Sequence, residues 1–198
     1  MRKKIDLIIL LLVLVAGVFA IKNAQAIGDW WHSVQYHPPA DVAKLADDAG
    51  MSPEGKKLFY RFSPQLVDAA TLGQKCGNEK LGCTEGQSIY MLQFKDDGEY
   101  NRTIVTAAHE MLHVAYSRLN PKEVAELDTQ LKTELDGYGA SVVADQLKGY
   151  SSDDYYNEAH SFIGSQLSDI SPQLEQHYKR YFDDRHKTAT AYRESPER

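Results

Sequence analysis

Several things are scarce in this chain of 198 residues, and each shortage removes a class of reading. Cysteine occurs twice, at Cys76 and Cys83, so a disulfide-dense mini-scaffold is excluded. The two enclose Gly77 to Gly82, a gap too wide for the C-x-x-C of a redox or zinc-knuckle motif. Positive charge is also in short supply. Lys and Arg number 22 against 28 Asp and Glu, which gives a net charge of -6. No window is strongly basic except the extreme N-terminus, so a nucleic-acid partner is not expected. Internal repeats and low-complexity tracts are absent. What remains is an ordinary globular composition, 42% hydrophobic and 25% charged, with length for one domain plus appendages.

Long apolar runs are confined to one place. Met1-Arg2-Lys3-Lys4 precedes Leu7 to Ile21, a run at the short end of what spans a bilayer. The cationic flank puts the N-terminus on the cytoplasmic side and everything after Lys22 outside. The expectation is therefore a membrane anchor over residues 1–22 and a juxtamembrane stalk over 23–40. The alternative is a secretory signal cut after Ala26, because Ala24-Gln25-Ala26 has the small-residue pattern of a cleavage site. Both readings export the remainder. In an exported domain the even cysteine count points to a Cys76–Cys83 disulfide.

The domain itself is expected over 41–186, with a flexible tail over 187–198 that has few large apolar residues. Asp41 to Ala49 reads as a short helix ended by Gly50. Ser52-Pro53 reads as an N-cap with proline at the first helical position, opening only a brief turn. Lys57 to Phe62 alternates in a way that suits a strand, and Gln87 to Phe94 is the clearest strand of the chain. Asp96-Asp97-Gly98 reads as a turn. From Thr103 onward the pattern is helical, with Ile104, Ala108, Met111, Leu112, Ala115 and Leu119 on one face. Asn120-Pro121-Lys122-Glu123 carries a capping box for the next helix, which runs to about Leu135. Val142 to Leu147, Ser152 to Leu167 and a last helix from Pro172 follow. The class is α+β, mostly helical with a small antiparallel sheet from residues near 57–94.

The chemistry lies in His109-Glu110-Met111-Leu112-His113. Two histidines four apart on a helix stand on one face, one turn apart, and can bind one Zn²⁺ from the same side. Glu110, beside the first ligand, is placed to act as general base on a water at the metal. A catalytic zinc takes three protein ligands and keeps an open position. The metzincin extension needs Gly and His where this chain has Tyr116 and Leu119, so that subtype is excluded. Glu158 is the best candidate for the third ligand, from a second helix. His160 is the alternative, or else a hydrogen-bond donor to a developing oxyanion. Tyr155, Tyr156, His177, Tyr178 and Arg185 are further candidates for oxyanion or substrate contacts.

The first of these helices resembles that of the zincin metallopeptidases. Asn157-Glu158-Ala159-His160-Ser161 resembles the Asn-Glu-x-x-Ser stretch of the thermolysin-like gluzincins, in which the Glu is the third zinc ligand. The likeness covers the active-site core, about a third of the chain. The family usually follows that Ser with an Asp supporting a ligand His, and here the position is Phe162. The layout also resembles small membrane-anchored bacterial H-E-x-x-H proteins of unassigned function. The resemblance implies a zincin-like fold and hydrolysis of a peptide or protein substrate, with Zn²⁺ on His109, His113 and Glu158. A non-catalytic zinc-binding module at the cell envelope is the alternative.

Overall fold

The structure is a computed structural model that describes residues 2–78, 80–94, 96–137 and 141–195, without the side chains of 2–11, 25–26, 29–30, 33–34, 97–98, 141–142 and 153. It divides into two units, Met1–His37 and Pro38–Arg198. The first unit holds α1 (Arg2–Lys22) and α2 (Ala24–Gln35). Among the described residues no helix is long and apolar enough to cross a membrane. The expected spanning run begins at Leu7, and its first part, through residue 11, lies outside the described side chains. The part whose side chains are described is Leu12 to Ile21. Its side chains are exposed, among them Leu12, Phe19 and Ile21.

The second unit runs α3 (Ala40–Asp48), α4 (Pro53–Arg61), β1 (Gln65–Val67), α5 (Ala69–Cys76), β2 (Gly82–Glu85) and β3 (Ser88–Leu92). A helical half follows: α6 (Asp97–Ser117), α7 (Pro121–Leu135), α8 (Ser141–Gln146), α9 (Ser152–Gln166), α10 (Pro172–Tyr178) and α11 (His186–Glu194).

Lys57 to Phe62 is not a strand. Ser52 Oγ accepts from Gly55 N at 3.1 Å, Pro53 sits at the first helical position, and α4 continues to Arg61. Gly55, Leu58 and Phe59 are its buried residues, a helical face. Alternation over six residues was too short to tell a period of 2 from one of 3.6, and the cap decides. The sheet is mixed rather than antiparallel, in the order β1-β3-β2. β2 and β3 form a tight hairpin through Gly86, whose φ is +61°, while β1 pairs with β3 in parallel, Leu66 opposite Met91. The parallel pair arises because α5 and β2 intervene between β1 and β3. β2 is an edge strand.

α6 is the central helix. It begins at Asp97, so of the acids read as a turn Asp96 is its N-cap and Asp97 its first residue. Ala107, Ala108, Met111, Leu112 and Ala115 are fully buried on it, and it packs chiefly on α9 and α11. The capping box at Asn120 forms as expected: the Asn120 side chain accepts from Lys122 N and Glu123 N, and Glu123 Oε2 accepts from Asn120 N at 2.8 Å. The segment from Lys187, expected to be loose, is most of α11. Its buried residues are Thr188, Ala189 and Ala191, and Thr188 Oγ1 donates to Ala49 O at 2.8 Å. Small side chains let that helix lie close against the core, where large ones were looked for.

The contact of α6 with α9 depends on Gly164. A Cβ there would stand 2.5 Å from the Tyr178 ring and 2.6 Å from Leu112 Cδ1. Both neighbours are buried and have nowhere to move. Gly164→Ala is expected to destabilise the fold by about 1–3 kcal/mol, the usual cost of overpacking. Thermal melting followed by circular dichroism measures it; an unchanged melting temperature would show that the contact yields.

Candidate metal centre

His109 and His113 lie one turn apart on α6, and Glu158 faces them from α9. The two imidazole Nε2 atoms are 3.0 Å apart. Glu158 Oε2 is 3.5 Å from His109 Nε2, and its Oε1 is 3.6 Å from His113 Nε2. Ligands bound tetrahedrally at 2.0–2.2 Å stand roughly 3.3–3.6 Å from one another. The carboxylate–imidazole distances, one to each Glu158 oxygen, match that spacing, and the two imidazole nitrogens stand slightly closer together. Glu158 Oε2 is buried and accepts no hydrogen bond among the described residues. A buried lone pair without a donor costs free energy unless something positive meets it. The nitrogen and oxygen donors, their spacing and that orphaned oxygen all suit a metal ion, and two imidazoles with one carboxylate suit Zn²⁺.

No family model, curated protein or solved structure matches this chain. The case for the site therefore stands on its geometry.

His113 is oriented by α9. Asn157 Oδ1 lies 3.0 Å from His113 Nδ1, and because that oxygen only accepts, Nδ1 carries the proton and Nε2 keeps its lone pair for a metal. Ser161 Oγ stands 3.2 Å from the same Nδ1. Asn157 and Ser161 are four apart, on the face of α9 that also presents Glu158. The support looked for at position 162 thus comes from 157. Phe162 instead packs on the ring of His109, with centroids 4.7 Å apart. In the sequence Asn157 stands out only as part of the Asn-Glu-x-x-Ser stretch; its spacing from Ser161 on one helical face is the signal for this role. Asn157→Ala is expected to lower zinc affinity about 10- to 100-fold while Glu158 stays in place, which competition against a fluorescent chelator would measure. Unaltered affinity would leave His113 oriented by Ser161 alone.

Burial lowers the basicity of His113, and neighbouring His109 adds to that. Burial pushes the Glu158 carboxyl up, but the two imidazoles outweigh it and hold it below the usual carboxylate range.

Glu110 points toward the sheet. Its side chain is buried, and Oε2 accepts from Thr84 Oγ1 of β2 at 3.0 Å. Burial raises its pKa, against the pull of His113 and of the Thr84 hydrogen bond. β2 reaches α6 this closely only through Gly82, where a Cβ would stand 2.5 Å from Thr106 Cγ2 and 3.5 Å from Glu110 Oε1. Cys76 and Cys83 form the expected disulfide, which ties the end of α5 to this strand.

These groups share one open cleft of about 430 Å³. His109, Glu110, His113 and Glu158 line it, with Lys80 and Thr84 on the sheet side, Val105 from α6, and Tyr150, Phe162 and Gln166 beyond.

His160 is elsewhere. It is fully buried, stacks on Tyr178 at 5.1 Å and meets His177 through the two Nε2 atoms at 3.0 Å. It does not line the cleft, so neither the ligand role nor the oxyanion role proposed for it fits this geometry. The reason is helical: two residues beyond Glu158, α9 has turned by about 200°. Burial holds His160 well below the ordinary imidazole value, and burial brings His177 down to about 4, so both are neutral packing groups at physiological pH. Tyr178 donates to His160 O, and Arg185 is spent on Glu175 and on the Leu167 and Ser168 carbonyls. Tyr155 and Tyr156 pack edge to face on each other. None of these five lines the cleft. Tyr150, at its rim, was missed; it follows Gly149 in a loop, where no helical or strand period points to it.

Proposed function

We propose that the chain is a zinc-dependent peptidase of zincin type, gluzincin-like in its ligand set. The observation that carries this reading is the convergence of three metal donors and one separately held carboxylate in a single open cleft. His109, His113 and Glu158 would hold the ion, and Glu158 meets the unspent need of its buried oxygen in doing so. A Zn²⁺ held there would polarise a scissile carbonyl and make an adjacent water acidic near neutral pH. Glu110 takes no part in the ligand set. Its carboxylate, steadied by Thr84, accepts the proton of the attacking water and returns it to the leaving amine. The burial that raises its pKa makes it a stronger base than an exposed glutamate, which suits both steps.

The basic and apolar N-terminus supports export and membrane attachment, with secretion after cleavage at Ala26 as the alternative. The disulfide fits an oxidising compartment. Cleavage of a broad peptide library by the purified chain, lost to a chelator and restored by Zn²⁺, is the expected result. Zinc retained without any turnover would overturn the enzymatic reading. It would favour a second one, a zinc-binding module that recruits another envelope protein. Phe162 packed on His109, where the resembled family has an acid, is the feature that speaks for that reading.

A further inference from the structure

We propose that Lys80 makes this cleft select peptides that carry a carboxylate close to the bond being cut. The inference rests on the peptidase reading and names its substrate class. Among the residues lining the cleft, Lys80 is the one lysine or arginine. The other ionisable groups there are the two carboxylates, Glu110 and Glu158, the two imidazoles and the Tyr150 phenol, whose pKa burial raises. Among the described residues no hydrogen bond or ion pair holds the Lys80 ammonium, although lysines elsewhere in the same unit are engaged, as Lys56 is by Asp47 and Lys75 by Glu85.

The root of this side chain is fixed even though its end is exposed. Lys80 lies inside the loop closed by Cys76–Cys83. The next residue, Leu81, accepts from Leu92 N at 2.8 Å, and Gly82 opens the strand paired with β3. The ammonium is thus tethered by a short arm to the strand that carries Thr84. Its charge is felt at both Glu110 and Glu158.

Charge bookkeeping gives the direction. The two carboxylates are matched by one divalent ion, so the Lys80 charge is left over, in a chain whose net charge is -6. A small positive focus in a negative molecule draws anions to one place and leaves the rest of the surface repelling them. A peptide without a carboxylate gains nothing from the exposed ammonium. A peptide with one would form a charge-assisted pair at the cleft's rim. The carboxylate has two sources, an acidic side chain or the free C-terminus of a short peptide.

Matched peptides separate them. One set places Glu or Gln at each position around the scissile bond, with the C-terminus amidated; another keeps neutral side chains and compares free acid with amide. Cleavage by the full zinc-loaded chain is measured together with calorimetric binding to its Glu110→Gln form, in low and high salt. The carboxylate member of one set is expected to be favoured about five- to tenfold, less at high salt. Lys80→Met should level that preference, and Lys80→Glu should reverse it. Lys80 is exposed, so neither change threatens the fold. No preference in the parent would overturn the proposal. So would a Lys80→Met loss equal for both members of each pair, since that would make Lys80 a tuner of Glu110 alone. A total lack of cleavage would sink the peptidase reading, and the binding measurement would still decide the selection.

Discussion

Glu110→Gln should leave Zn²⁺ bound as tightly as in the parent and slow peptide hydrolysis about 10²- to 10⁴-fold, the range set by loss of a general base. The substitution keeps shape and still offers Thr84 an acceptor, so β2 stays seated on α6. It removes only the ability to take a proton. Metal content by mass spectrometry and single-turnover hydrolysis are the two readouts. Full activity in this variant would remove Glu110 from the reaction. Loss of zinc instead would mean that Glu110 is a ligand, which its separate orientation toward Thr84 argues against.

His113→Ala should lose the metal. Four-ligand structural zinc sites gain roughly 10–16 kcal/mol, so one ligand is worth about 3 kcal/mol, on the order of 10²-fold in affinity. Here the effect should exceed that, because a three-ligand site reduced to His109 and Glu158 no longer encloses an ion. The side chain is also the anchor for Asn157 and Ser161, so the orientation supplied by α9 goes with it. Dialysis against a slight molar excess of zinc, then against metal-free buffer, followed by elemental analysis gives the result. A chain that returned one zinc per molecule would refute the ligand assignment. Circular dichroism serves as the control for folding.

Local signals in this chain were legible where they were short-range and redundant. Asn120-Pro121-Lys122-Glu123 has a cap, a proline and a returning acid in consecutive positions, and the helix starts where they say. Gln87 to Phe94 is β-branched and aromatic, and β3 lies within it. Signals failed where two periods competed in a short window, as at Lys57 to Phe62, or where packing used small residues, as in α11. β1 and β2 escaped notice because strands of three and four residues carry almost no periodicity. Pairing with β3 makes them strands, and pairing is not a local property.

The same division holds at the site. That two imidazoles share a helical face with an acid beside them follows from the spacing of His109, Glu110 and His113 alone, because the geometry of a helix leaves no freedom in the matter. The sequence also narrowed the third donor to a short segment of α9. Tertiary structure decided the rest. The packing of α6 on α9 chose Glu158 over His160, through a rotation that puts one in the cleft and the other in the core. It supplied Asn157 as the support of His113, and through β2 it placed Thr84 on Glu110 and Lys80 at the rim. Thr84, Asn157 and Ser161 lie 26 to 48 residues from their partners in the chain, and only the burial of a shared core brings them within hydrogen-bonding reach.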